Sequence, residues 1–277
     1  MKPDVANEVV PRPAATVLLL RDGSDGPEVF MMRRHGQIGA FPGAHVFPGG
    51  RVDVEDAADE KWCDGLAHAA RQLPDLDSQV AVAFHLAAAR ELFEEAGVLL
   101  ARDRTKQFVS LAGVADHERF KGYRQDIHAH RVGLRDVVEQ EHLRLALDSL
   151  TQFAHWVTPP VEGRRFDTRF FATRVPPRQT PAHDDRETTE SVWITPSAAI
   201  QASTRRAILL PPPTYVTLRE LEPFPSVDAI IQWSETRTIE RREPRFVQGS
   251  TTRMLVMPDD QTRFVWTDGY WRPEGID

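Results

Sequence analysis

Apolar and polar positions alternate along this chain in two distinct periods. Residues 14–21 and 28–34 are short apolar runs separated by Asp22-Gly23-Ser24-Asp25-Gly26-Pro27, which predicts two strands joined by a turn-rich hairpin connection. Residues 80–96 are Ala-rich. There Leu86, Ala89, Phe93 and Ala96 recur at helical spacing, predicting a helix that buries one stripe against a sheet and stops at Gly97. A shorter helical pattern, 65–73, is stopped by Pro74, and Asp75, Asp77 and Ser78 are available to cap the helix that follows. Residues 103–150 read mainly as helix, with 134–138 and 143–150 carrying 3.6-type spacing. Strands are expected at 153–157, 166–175 and 191–194, and helices from Pro196, at 215–221 and at 227–233. A terminal hairpin is expected from 253–257 and 262–267. Strands interleaved with helices place the chain in the α/β class.

Composition narrows the field. The 277 residues are 41% hydrophobic and 27% charged, ordinary for a globular chain with a real core. A net charge of −7 argues against a nucleic-acid surface, which needs a basic footprint. Residues 14–20 are too short an apolar run to span a bilayer, and with no charged-then-apolar pattern before them a signal peptide is not expected. Cys63 is the single cysteine, which excludes an internal disulfide and a Cys-based zinc site. The last residues are not a Ser-Lys-Leu address, so the expected compartment is the cytoplasm.

The chemistry concentrates in Arg90-Glu91-Leu92-Phe93-Glu94-Glu95-Ala96-Gly97-Val98. On a helix, Glu91, Glu94 and Glu95 share one face, where like charges three or four apart each cost about 0.2–0.5 kcal/mol. Such a face is either solvated surface or a site for a hard divalent cation such as Mg²⁺ or Mn²⁺. Upstream, Phe47-Pro48-Gly49-Gly50-Arg51-Val52-Asp53-Val54-Glu55-Asp56 supplies a glycine turn and an acidic cluster. His68 and His85 lie among alanines and read as packing or surface residues rather than ligands. His117, His128 and His130 read as a chance grouping on a solvated helix.

Taken together, these segments resemble a split Nudix box. Gly50 and Asp56 stand for its first half, and residues 90–98 match its second half at every specified position. Residues 57–89 fill a gap where that family usually has seven residues. An insertion inside the box is similar to the peroxisomal-type coenzyme A diphosphatase branch. The likeness continues in residues 44–50, in Thr158-Pro159 with 164–171, in 193–197 and in 210–215.

The resemblance implies a Nudix-type α/β/α sandwich with a central mixed sheet and helical insertions at about 57–79 and 103–150. Flanking it are a loose arm at 1–12 and a hairpin extension at 241–277, with the domain itself at 13–240. Residues 103–150 are a lid, a dimer contact or a specificity element, and a homodimer stays open. Mg²⁺ or Mn²⁺ is expected on Glu91, Glu94, Glu95, the Gly50 carbonyl and Asp56. Arg90, Glu91 and Glu190 are the catalytic candidates, with Glu187 standing equally beside Glu190 in the acidic loop as metal ligand or general base. Arg33, Arg34, Arg164 and Arg165 are the candidate anion contacts; strand alternation lets only one of the first two face a ligand. The implied substrate is a small nucleoside diphosphate derivative, most specifically coenzyme A or acyl-CoA. ADP-ribose, NADH or another nucleotide diphosphate is the alternative, and a non-catalytic nucleotide-binding module lies further off.

Overall fold

A computed structural model describes residues 9–36, 41–249, 252–259 and 261–275. The expected arm lies largely at 1–8, outside the described residues, and the first strand already begins at Arg12. The chain runs β1 (Arg12–Gly23), β2 (Gly26–Arg34), β3 (His45–Val46), β4 (Gly49–Arg51), β5 (Cys63–Asp64), α1 (Leu66–Gln72), α2 (Ser78–Ala96) and β6 (Ala101–Arg102). It continues through α3 (Val114–His128), α4 (Leu134–Gln140), β7 (Arg144–Ala146), β8 (Thr151–Val157), β9 (Phe166–Arg174) and β10 (Thr188–Ile194). Then come α5 (Pro196–Thr204), α6 (Pro212–Leu221), α7 (Val227–Thr236), β11 (Arg241–Arg242), β12 (Arg245–Gln248), β13 (Arg253–Val256), β14 (Arg263–Thr267) and β15 (Tyr270–Pro273).

The main sheet has the order β10-β2-β1-β9-β8-β11, with β3 on β2 and β4 on β1. It is mixed: β1 with β9 and β8 with β11 are parallel, the other pairs antiparallel. The sheet is covered on both faces, which explains why β1 and β2 read as continuous apolar runs. Ala15, Val17, Leu19, Phe30 and Met32 pack with α2 and the insertions. Leu18, Leu20, Val29 and Met31 point the other way and pack with Ala199, Leu218 and Ile230 of α5, α6 and α7. That is the α/β/α sandwich.

Helix α2 starts two residues before the periodicity suggested, because the Asp77 carboxylate accepts the Gln79 N–H (2.8 Å). It ends at Gly97, whose φ of 68° is left-handed and whose N–H closes on the Phe93 carbonyl. Its alanines 81, 87, 88 and 89 are fully buried and let it lie close on the sheet.

Two expectations are corrected. Residues 143–150 are strand β7 followed by a 3₁₀ turn at Leu147–Ser149, because β7 is drawn between β5 and β6 in a small three-stranded sheet. That sheet ties the two insertions together, and the Arg144 guanidinium fastens it by donating to the carbonyls of Glu60, Lys61 and Cys63 and to Asp64. The terminal segment holds the expected β13–β14 pair, but within a four-stranded sheet β12-β13-β14-β15. Leu255, Met257, Phe264 and Trp271 sink it into the core beneath α6. Among the described residues no helix is long and apolar enough to cross a membrane.

Candidate active site

Strand β4 pairs antiparallel with β1, setting Gly50 opposite Ala15 and Gly49 opposite Thr16. This carries the Gly-Gly bend against α2. The Gly49 N–H donates to Glu95 Oε2 at 2.8 Å. A β-carbon at Gly49 would lie 2.4 Å from the Ala15 carbonyl oxygen, so only glycine fits there. A β-carbon at Gly50 would stand 2.2 Å from Glu91 Oε1. The split halves of the motif meet.

Arg90 closes the junction. Its Nε and Nη2 donate to the two carboxylate oxygens of Asp56 at 2.8 and 3.0 Å. Nη1 donates to Glu91 (2.9 Å) and Glu94 (3.1 Å), and Nη2 also to the Arg51 carbonyl (2.8 Å). Burial works against the charge of this guanidinium. The Asp56 bond and the neighbouring carboxylates outweigh it and hold the pKa above the usual arginine value.

Asp56 is therefore not placed as a metal ligand: it is 4% exposed and saturated by Arg90 and by the Asp53 N–H. Burial pushes Glu91 up to about 7 against the pull of Arg90, with the Glu94 charge adding to the rise. Burial and then the Glu91 charge raise Glu95 well above the normal range, against the Gly49 N–H and Arg34.

A cleft of about 920 Å³ opens over this junction. Gly49, Gly50, Glu91, Glu94 and Glu95 form one side, Arg34, Arg164 and Glu187 line it, and His128, His130 and Leu134 of the second insertion border it. Alternation along β2 leaves Arg34 in the cleft and turns Arg33 outward, where it pairs with Glu190 at 3.0 Å. Glu190 is thus not in the cleft; a register shift between Thr188 and Glu190 in the β10–β2 ladder leaves Glu187 as the loop carboxylate there. Arg165 is likewise displaced from the anion-contact role. It is 3% exposed and bonded to the Thr158 and Val9 carbonyls and to Glu243.

The donor set suits a hard cation. Three carboxylates and a glycine backbone crowd one wall, and burial raises the pKa of two of the carboxylates, Glu91 and Glu95. Among the described residues no three His, Cys, Asp or Glu side chains converge into a preformed cage. An ion of the magnesium type is held by one or two carboxylates and completes its shell with water and substrate phosphate oxygens.

Sequence reasoning missed Arg124 and read His128 as part of a chance grouping on a solvated helix, whereas its side chain is only 13% exposed. Both reach from α3 to the carbonyls at the end of α2: Arg124 Nε donates to Glu94 O at 2.6 Å, and His128 Nε2 bonds the same oxygen at 2.9 Å. No local signal in α3 marks them.

The family profile described as the NUDT19 Nudix domain matches residues 70–221. The chain belongs to this Nudix family. It is 31% identical over 261 residues to the human acyl-coenzyme A diphosphatase NUDT19, covering 79% of this chain and 67% of that protein. The Xenopus laevis protein of the same name is 24% identical over 245 residues, covering 77% and 64%. The chain spans about two thirds of the length of these curated relatives. A Nudix hydrolase from Alicyclobacillus acidocaldarius superposes with a TM-score of 0.68 at 24% identity, over 84% of this chain and 99% of that one, showing a shared fold. Nudix hydrolases generally use divalent metal ions and act on small nucleoside diphosphate derivatives.

Proposed function

We propose that this protein is a divalent-metal-dependent diphosphatase that hydrolyses coenzyme A or acyl-CoA at the diphosphate. The observation that carries the reading is the Gly49-Gly50 bend seated on Glu91 and Glu95 at the base of the cleft. Glu91, Glu94 and Glu95 would hold Mg²⁺ or Mn²⁺, and the Gly50 carbonyl could add a ligand. The bound cation supplies charge neutralisation and an acidified water. Arg90 keeps Glu91 and Glu94 oriented, as an outer partner of ligating carboxylates does. Glu187 takes the proton of the attacking water. Arg34 and Arg164 meet the phosphates, including the additional ribose phosphate that distinguishes coenzyme A from ADP-ribose. The products are 4′-phosphopantetheine, acylated or not, and adenosine 3′,5′-bisphosphate.

The deciding experiment is a turnover screen of coenzyme A, acyl-CoA, ADP-ribose and NADH with Mg²⁺ and with Mn²⁺, alongside Glu94→Gln/Glu95→Gln. Metal-dependent cleavage of coenzyme A or its thioester, lost in the double variant, is the expected result. Cleavage of ADP-ribose with coenzyme A untouched overturns the substrate. Undiminished turnover by the double variant overturns the site.

A further inference from the structure

The last four carbonyls of an α-helix have no partner within it. In α2 these belong to Phe93, Glu94, Glu95 and Ala96, and every one is taken. Gly97 N–H bonds Phe93 O at 2.9 Å and Ala182 N–H bonds Ala96 O at 3.0 Å. Arg124 donates through Nε to Glu94 O at 2.6 Å and through Nη2 to Glu95 O, while its Nη1 reaches His183 O at 3.3 Å. His128 Nε2 shares Glu94 O at 2.9 Å; since a carbonyl only accepts, the ring proton sits on that nitrogen. One guanidinium thereby joins α2, α3 and the loop that leads to Glu187.

The charge pattern of α2 gives this contact a purpose beyond capping. A helix C-terminus carries roughly half a negative charge and favours cations. Helix α2 has no basic residue in its last turn, and it places Glu94 and Glu95 there with Glu91 just before. Its carboxylates therefore stand at the unfavourable end of their own helix. Arg90 is engaged on the Asp56 side of the carboxylates. Arg124 brings the missing positive charge from a different helix, and it does so in a half-buried position where salt screens weakly.

We propose that Arg124 is a positioning residue for the metal site. It fixes the backbone of residues 94 and 95, so that the Glu94 and Glu95 carboxylates are presented together to a divalent cation, and it makes the second insertion a working part of the Nudix helix. The inference rests on the metal-site reading given above.

The test is Mn²⁺ binding to the full chain without substrate, followed by the spin-resonance signal of free Mn²⁺, for wild type, Arg124→Met and Arg124→Lys. Arg124→Met should bind Mn²⁺ about tenfold more weakly, the low end of the loss seen when an outer partner of a metal ligand is removed. In turnover assays the metal concentration for half-activation should rise and kcat fall, with KM at saturating metal within about twofold of wild type. Arg124→Lys, keeping charge but losing the fork, should fall between the two. If Arg124→Met does not fold, Arg124→Lys and His128→Gln carry the same measurement. Folded variants that bind Mn²⁺ as wild type does, with only a lowered melting temperature, overturn the inference and leave the metal site standing. A wild-type chain that takes up no Mn²⁺ overturns both.

Discussion

Gly50 and Glu91 are in such close approach that a single methyl group on residue 50 would displace the carboxylate, standing 2.2 Å from its nearer oxygen. Gly50→Ala should therefore separate stability from activity. The obstructing atoms are the far end of a side chain, so the fold can yield and the melting temperature should drop by only a few degrees, an effect of about 1 kcal/mol. Turnover should fall at least about tenfold, as expected for a misplaced ligand. Thermal melts beside steady-state kinetics check this; a variant with unchanged kcat would show that Glu91 need not stay where Arg90 holds it.

Arg90 serves Asp56, Glu91, Glu94 and the Arg51 carbonyl at once. Lysine offers a point charge in place of a planar fork and cannot span them. Arg90→Lys should retain the far-ultraviolet dichroism while kcat drops by about 10- to 100-fold. Parity with wild type in kcat would exclude the orienting role.

Two glutamates close in sequence have different places. Glu187 borders the cleft, whereas Glu190 is paired with Arg33 outside it. Glu187→Gln should lower kcat by about 10²- to 10⁴-fold, the range for losing a general base. Glu190→Gln should stay within about threefold. The reverse ranking, measured under identical metal saturation, would return the role to Glu190.

His85 governs a pH effect on stability. Its Nδ1 donates to the Ala81 carbonyl at 2.9 Å, its Nε2 is buried with no partner among the described residues, and the ring packs tilted on Phe171 at 4.5 Å. Burial lowers its pKa from 6.5 to about 4, with the Ala81 bond opposing. Between those values the unfolded chain binds the proton and the folded one does not, so stability rises with pH and is lost as pH falls from 6.5 toward 4. The full contribution is roughly 3 kcal/mol. Urea midpoints at pH 4.5 and 7 should differ less in His85→Gln than in wild type; equal slopes would refute the assignment.

Much of this architecture is legible in the sequence because it rests on local chemistry. Gly97 ends α2 because it can be left-handed, and β1 reads as a buried strand because both its faces are apolar. The pairing of the Gly-Gly bend with Glu91 follows from a motif whose pieces survive a long interruption. What escaped depends on tertiary contact. Arg165 differs from Arg164 only in which side of the chain end it faces, and Glu187 replaces Glu190 through a register shift that no periodicity announces. His128 sits on a largely polar helix, yet its side chain is only 13% exposed because α3 lies across the end of α2.

The Asp56–Arg90 bond joins residues 34 positions apart, where the uninterrupted motif would close over about eight. Chain-closure entropy grows only logarithmically, so this fourfold longer ring costs roughly 1 kcal/mol more. Charge-assisted hydrogen bonds contribute roughly 1.5–3 kcal/mol each before the desolvation of the pair is counted, so the contact is of the size needed to meet that cost. The catalytic signature has thereby changed from a local element into a long-range tertiary contact. Fragments cut anywhere between 57 and 77 should carry neither half in working form, and competence should appear only when the whole sandwich has folded.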